Sequence, residues 1–401
     1  MKKKLISIVR KAIDLILVVS ALPLSLIFRL VNMFTPVRIA GIRASPLGHF
    51  VFDTEHYLRC RQLEPVEYRL FCYFSSEVSN EQWAKMVRYR FKVHPIYRYV
   101  NLANRLLPNS DRYEVELTEQ ERATRDIEQI LGRTHPEITF NSNENLIGQT
   151  YLESIGLEKG DKFTCLLVRD SAYKESLSRS KNWSYHSYRD SDVNIFSEAA
   201  SWLGDNGYWV IRMGKAVQDE FRVQHPRIVD YSTSKHRSDF LDIWLMANCY
   251  FSISTGTGLD EVAGMAGKPG VFVNFLPLTH IPLYKQSITV PKKLVWSETG
   301  QLLSLVEYIQ NGYTSTEEYK ENGITINSLT PTEIKQVVVE MLETMGDKRD
   351  IREEQTKRHE QLIQIILKYD KFNKRKYQFY RHPDARLGMG FLEANWDQLS
   401  R

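Results

Sequence analysis

Cysteine is scarce and scattered: Cys60, Cys72, Cys165 and Cys249 are the 4 in 401 residues, with no CxxC pair and no Cys/His spacing suited to a metal. A disulfide-stapled secreted scaffold and a zinc module are thereby set aside. Cys165 and Cys249 fall inside apolar, strand-like runs that suit reduced core positions. Charge of one sign is missing too. With 53 basic and 49 acidic residues, net +4, there is no sign of the concentrated basic face that nucleic-acid binders use. No internal repeat and no low-complexity tract is present. An apolar run of comfortable spanning length is also lacking. Leu15 to Phe28, flanked by Asp14 and Arg29, covers about 21 Å as a helix, against a hydrocarbon core of ~30 Å.

The N-terminus, "MKKKLISIVRKAIDLILVVSALPLSLIFRLVNMF", nevertheless joins a basic start to that apolar run. Three readings compete. A signal peptide would need a small-residue cleavage site, which is not evident. A buried core helix would need a partner face. A membrane-associated helix over residues 1–34, lying in the interface or dipping in with Pro23 as a kink, would let its lysines meet anionic lipid on the cytoplasmic side. The last is the expectation carried forward.

A chain of 401 residues exceeds the ~250–300 at which single cores stop growing, so two domains are expected. Val37 to Ile42 reads as a strand, Ser45-Pro46-Leu47-Gly48 as a turn and His49 onward as a helix. "YRLFCYF" from Tyr68 is a second strand, and Ser79-Asn80 caps the helix "EQWAKMVRYRF". The polar stretch Leu102 to Phe140 has no clear elements, and "NENLIGQTYLESIGLEKGD" closes the first half as a helix. Strands then follow at "FTCLLVRD", "YWVIRMG", "RIVDY", "YFSIS" and "PGVFVNF", alternating with helices, which makes a parallel sheet the economical arrangement. The expected fold class is α/β with two Rossmann-like doubly wound domains. Residues 35–158 form the first, 159–330 the second, and the helical segment 331–401, with Leu362, Ile365 and Ile366 as its stripe, packs back on the first.

The most informative stretch is "FSISTGTGLDEVAGMAGKPGVFVN", Phe251 to Asn274. In an open parallel sheet ligands bind outside the carboxyl ends of strands, where this turn would lie. Gly256 and Gly258 admit a ligand close to the backbone, and the helix start favours an anion such as phosphate. Asp260 and Glu261 would not suit a bare phosphate but would accept hydrogen bonds from ribose hydroxyls. Carboxylates in a first helical turn are also ordinary complements to the helix dipole, and Asp260 is read that way.

Ser254-x-Gly256, Glu261 and Gly267-Lys268-Pro269 resemble the nucleotide-sugar site of GT-B glycosyltransferases, including the lipid II N-acetylglucosaminyltransferase type. More closely, "RASPLGHFVFDTEHYLR", "VRDSAY", "HSYRDSD", "YWVIRMG" and "STGTGLDEVAGMAGKP" resemble a family of glycosyltransferase-like proteins from bacterial surface-polysaccharide gene clusters such as those for O-antigen and capsule. The resemblance covers most of Val37 to about Phe275. It implies that Ser254, Thr255, Gly256, Thr257 and Gly258 cradle the donor's phosphates and that Glu261 holds the ribose. Arg169 and Arg189 would face the same cleft, with Arg212 and Gly214 at a neighbouring strand end. Guanidinium groups there would offset leaving-group charge without a metal, and no DxD pair stands at a strand end; "RDSD", Arg189 to Asp192, reads as a loop and helix cap. His186 is either a surface or capping histidine or a further contact.

The first domain would take a lipid-linked or oligosaccharide acceptor. "SPLGH" resembles the Gly-rich first loop of these enzymes, and His49 and Asp53, spaced i and i+4, would accept the acceptor's proton in an inverting reaction. Capping, with an ion pair to Arg43 or Arg59, is the competing account of that pair. The implied function is a metal-independent glycosyltransferase without cofactor on the cytoplasmic face of the bacterial inner membrane, its co-substrate a nucleotide sugar. A nucleotide-sugar epimerase or hydrolase, and a non-catalytic membrane-tethered binding protein, are the alternatives.

Overall fold

The computed structural model describes residues 12–117, 126, 130–170, 184–346, 353–369 and 382–401. Two compact units divide the chain, Met1–Thr124 and Arg125–Arg401.

In the first unit, β1 (Val37–Ile42), β2 (Arg69–Phe74) and β3 (Lys92–Val93) form a parallel sheet in that order, with Val37 opposite Arg69 and Ile42 opposite Phe74. The helix Leu47–Leu63 after β1 buries Phe50, Val51 and Phe52, and with them the polar Asp53, Glu55, His56 and Arg59. Asn80 caps the helix Glu81–Arg90 by accepting the Trp83 N–H at 2.9 Å. The Trp83 indole donates in turn to the Phe50 carbonyl at 3.2 Å, which stitches the two helices together.

Ahead of β1 stand two short helices, Ala12–Ser20 and Leu22–Asn32, bent by 40°. Among the described residues no single helix is long and apolar enough to cross a membrane; only this bent pair, taken together, has the length and composition. Leu22–Asn32 packs inward through buried Ser25 and through Phe28, whose ring lies 6.0 Å from that of Phe71.

The second unit is built on a seven-stranded sheet of β4 (Lys162–Leu167), β5 (Tyr208–Met213), β6 (Ile228–Asp230), β7 (Ser252–Ser254), β8 (Gly270–Phe275), β9 (Ser287–Pro291) and β12 (Ala385–Leu387). Its order is β12-β9-β8-β7-β4-β5-β6, every pairing parallel. A separate antiparallel pair joins β10 (Lys293–Trp296) to β11 (Ile324–Asn327). The chain winds outward from β4 through β5 to β6, and then outward the other way from β7. The topological switch point therefore lies between β4 and β7.

Two boundaries differ from expectation. The helix Ser142–Ser154, expected in the first half, belongs to the second unit, because its Gly148 lets the Trp244 ring lie against bare backbone. A Cβ there would fall 2.2 Å from that ring, whose N–H donates to Asn145 at 3.1 Å. The described part of segment 331–401 is built into the second unit. Pro331–Met345 buries Ile334, Val338 and Met341 in that unit's core, and β12 adds a strand beside β9 with Ala385 opposite Ser287. In the helix Glu353–Tyr369, Leu362 is buried and Ile365 partly so, whereas the Ile366 side chain lies outside the described residues.

Candidate functional site

β4 and β7 run side by side, Leu167 opposite Ser254, so the segments after them leave the sheet together. The Arg169 N–H donates to the Thr255 hydroxyl at 2.9 Å and the Thr255 N–H to the Leu167 carbonyl at 3.1 Å, binding the two exits. Ser191 N–H then donates to the Arg169 carbonyl at 3.0 Å, which brings the short 3-10 helix Ser184–Arg189 and its following loop over the same spot.

Three cationic side chains converge there. The Arg189 guanidinium donates to the Gly256 carbonyl at 2.8 Å. Arg169 pairs with Asp190 at 3.4 Å. Lys292, just past the end of β9, donates through Nζ to the Asp190 carbonyl at 2.5 Å. Burial, and then the nearby Arg189 charge, push the Arg169 guanidinium down to about 10. Burial pushes Lys292, 4% exposed, down to about 8, with Arg169 adding to the effect and Asp190 opposing it. Burial likewise raises Asp190 above the ordinary carboxylate range. Cations outnumber carboxylates in a half-dried corner, and an anion entering it would relieve the repulsion.

Buried polar atoms in the same corner lack partners among the described residues: Arg189 Nε, Ser191 Oγ and Thr257 Oγ1. Native proteins rarely leave such atoms unpaired, and oxygens of a bound anion suit the guanidinium and both hydroxyls.

The Gly-rich turn serves itself more than expected. Ser254 Oγ donates to Asp260 Oδ2 at 2.5 Å and accepts the Gly256 N–H at 3.0 Å, while the Thr257 N–H donates to Asp260 Oδ2 at 2.7 Å. The amides of Thr255, Gly256 and Thr257, expected to cradle phosphates, are thus occupied within the protein. Asp260, 2% exposed, is the clamp of this turn rather than a simple dipole complement; burial raises its pKa, against the nearby Lys285 charge. Gly256 has φ of 83° and its missing Cβ would meet the Phe275 ring at 2.8 Å, so its bareness serves the turn. Gly258 stands in the same turn, directly ahead of the helix Asp260–Met265.

Glu261 lies on the first turn of that helix and accepts a hydrogen bond from the buried Tyr284 hydroxyl. Arg212, expected as an anion contact, is 1% exposed and pairs with Asp230 at 2.8 Å, opposite it on β6. Asp230 also accepts from the Phe221 N–H and the Ser232 hydroxyl, so Arg212 fastens the sheet. Gly214 makes room for Val217, whose Cγ1 would lie 2.6 Å from a Cβ. The His186 side chain and residues 171–173 of "VRDSAY" lie outside the described residues. Asp192 caps the turn Val193–Phe196 by accepting the Asn194 N–H at 2.8 Å, as a loop and cap should.

In the first unit, His49 and Asp53 sit past the end of β1 with Arg43. The Arg43 Nη2 donates to His49 Nδ1 at 2.8 Å and lies 3.3 Å from Asp53 Oδ2; His49 Nδ1 to Asp53 Oδ1 is 4.0 Å. Since arginine only donates, the ring accepting at Nδ1 carries its proton on Nε2.

Reasoning from sequence missed Lys292 and Tyr284. Lys292 follows Pro291 in "SITVPKKLVW", where a lysine pair after an apolar strand-like run is the one available signal.

No family model and no curated protein matches this chain. Among solved structures it is similar to the glycosyl transferase family 9 protein from Veillonella parvula DSM 2008, at 14% identity over 64% of this chain and 86% of that one, TM-score 0.41. It is also similar to E. coli ADP-heptose lps heptosyltransferase II, at 14% identity, 60% and 85% coverage and TM-score 0.36. A UDP-N-acetylglucosamine 2-epimerase follows at 10% identity, 79% and 98% coverage and TM-score 0.32.

Proposed function

We propose that the chain transfers a sugar from a nucleotide-sugar donor to a lipid-linked or growing glycan at the cytoplasmic face of the bacterial inner membrane. The observation that carries this reading is the cationic corner at the switch point, where Arg169, Arg189 and Lys292 meet unpaired Thr257 Oγ1 and Ser191 Oγ. The donor's phosphates occupy that corner. Its ribose reaches Glu261, whose carboxylate is steadied by Tyr284. As the glycosidic bond to phosphate breaks, negative charge grows on the leaving oxygen, and fixed guanidinium and ammonium groups stabilise it without a metal ion. The acceptor hydroxyl's proton goes to the His49–Asp53 pair. With His49 Nδ1 accepting from Arg43 and Nε2 carrying the ring proton, the group that takes it is the Asp53 carboxylate.

The test is thermal stabilisation of the full chain across nucleotides and nucleotide sugars, since a ligand at 100 times its Kd adds ~2.7 kcal/mol. One nucleotide series should shift the melting temperature, and Arg189→Ala and Glu261→Ala should each lose most of the shift. A shift that both variants retain would place the ligand elsewhere and sink the site.

A further inference from the structure

The helix Leu22–Asn32 turns its polar side chains inward beside Phe28 and leaves most of its apolar side chains outward. Its inward side holds Ser25, 0% exposed, and Arg29, whose guanidinium donates to Asn104 Oδ1 and to the Pro108 carbonyl, both at 2.8 Å, and lies 4.6 Å over the Tyr113 ring. The same side carries Asn32, whose side chain accepts the Val37 N–H at 2.9 Å. Its outward side is apolar: Leu26 is 56% exposed, Ile27 54% and Leu30 57%, and Phe34 beyond the helix end is 82% exposed. On the helix before it, Leu15 is 64% and Ile16 63% exposed, with exposed Val19 one turn after both and exposed Ile13 one turn before Ile16.

We propose that these two helices form an in-plane anchor, sunk into one leaflet of an anionic lipid bilayer without crossing it. Water is a poor neighbour for so many exposed apolar side chains gathered on two consecutive helices. Ala12–Ser20 exposes Ile13, Leu15, Ile16, Leu17 and Val19 over one broad arc, while Asp14 on its other side accepts from the Tyr99 hydroxyl at 3.4 Å, and so wide an apolar face suits fluid acyl chains, which need no matched surface. Charge selects the lipid: Lys2, Lys3, Lys4, Arg10 and Lys11 directly precede the helices in sequence, and Lys92 and Arg98 are exposed in the same unit.

Length and contacts argue against crossing. The helices measure about 14 Å and about 17 Å, each well short of ~30 Å. Joined and straightened they would reach, but only by tearing Ser25, Phe28, Arg29 and Asn32 from the contacts that hold them on the unit. An interfacial helix instead keeps one face on its own protein or in water and sinks the other by ~5–10 Å. The inference deepens the membrane part of the function proposed above and is independent of the chemistry at Arg169.

The full-length protein would be floated with vesicles of phosphatidylglycerol and phosphatidylethanolamine, and with phosphatidylcholine alone. Flotation is expected with the anionic vesicles and at least tenfold less with the neutral ones, or when Leu26→Glu, Leu30→Glu and Phe34→Glu are combined. A fluorophore on Leu30→Cys, in a Cys60→Ser background, should be quenched more by a spin label near the lipid headgroup than by one at the bilayer centre. Stronger central quenching would mean a span and overturn the proposal. So would flotation that the triple variant leaves unchanged, or a dimer in solution that the triple variant dissolves while wild type ignores vesicles. Because the substituted side chains face outward, the triple variant should keep the wild-type melting temperature; should it misfold, the quenching measurement decides alone. Donor-induced stabilisation measured on the same samples separates the two proposals: lost flotation with donor binding intact removes only the anchor, and the reverse removes only the transferase reading.

Discussion

At Lys292 a buried ammonium shares its corner with Arg169, and burial lowers its pKa to about 8 from the usual 10.5. Two pH effects of opposite sign follow. The folded protein disfavours the charged form, so the group's cost to stability is fully present below about pH 8. It fades between about 8 and 10.5, where the unfolded chain binds the extra proton. Donor binding runs the other way, because the anion needs the proton that the free protein is losing. At pH 9, one unit above that value, affinity should be roughly tenfold weaker than at pH 7. Titrating donor affinity by melting shift from pH 7 to 9 checks this, and Lys292→Met should flatten the profile as well as weaken binding. A wild-type profile that is already flat would remove Lys292 from the site.

Asp260 makes a second case at the same scale. It is buried and accepts from both the Ser254 hydroxyl and the Thr257 N–H, so Asp260→Ala leaves two inside groups short of a partner. At about 1–3 kcal/mol for each unsatisfied group, a loss of about 2–6 kcal/mol is expected in denaturant titration. Glu261→Ala takes this acceptor from the buried Tyr284 hydroxyl and should cost about 1–3 kcal/mol of stability, less than Asp260→Ala, and should add a loss of donor affinity that Glu261→Gln, which still accepts from Tyr284, isolates.

Elements were legible where local pattern and burial agree. β4, β5, β7 and β8 are apolar runs buried in a parallel sheet, and β1 with its following helix reads as plainly. β9 was missed although all its residues are buried, because Pro282 stands shortly before it and Pro291 is its last residue, and prolines read as loop. β12 spans three residues, too few for any period, and its place beside β9 is set by long-range pairing. The candidate site divides the same way. Glycines and carboxylates of the turn were visible, but whether an amide is free or already spent depends on side-chain rotamers that no spacing encodes. Arg212 looked like a strand-end cation until its register set it opposite Asp230. The Ser142–Ser154 helix offers a test of element placement: Gly148→Ala should force the Trp244 ring aside and cost about 1–3 kcal/mol, read by chemical denaturation with indole fluorescence as the probe. An unchanged midpoint would mean that this helix is not seated on Trp244.

At the scale of the whole chain, the two proposed ligands address different compact units, the donor Arg125–Arg401 and the lipid Met1–Thr124. Hydrogen exchange on the full chain can therefore read both at once, since amides open locally in cooperative units and a ligand slows exchange where it binds. Nucleotide sugar should protect peptides bearing Arg169, Arg189, Gly256 and Lys292 while leaving Ala12–Asn32 unchanged. Anionic vesicles should do the converse. The Arg43–His49–Asp53 cluster is the informative remainder: it sits past the end of a parallel strand in the first unit, the same kind of place as the donor corner in the second. If it receives the acceptor's proton, Asp53→Asn should lower kcat by 10²-fold or more with donor affinity unchanged, whereas His49→Gln should cost less. Donor protection appearing at Arg43–Asp53 instead of around Arg189 would exchange the roles assigned to the two units.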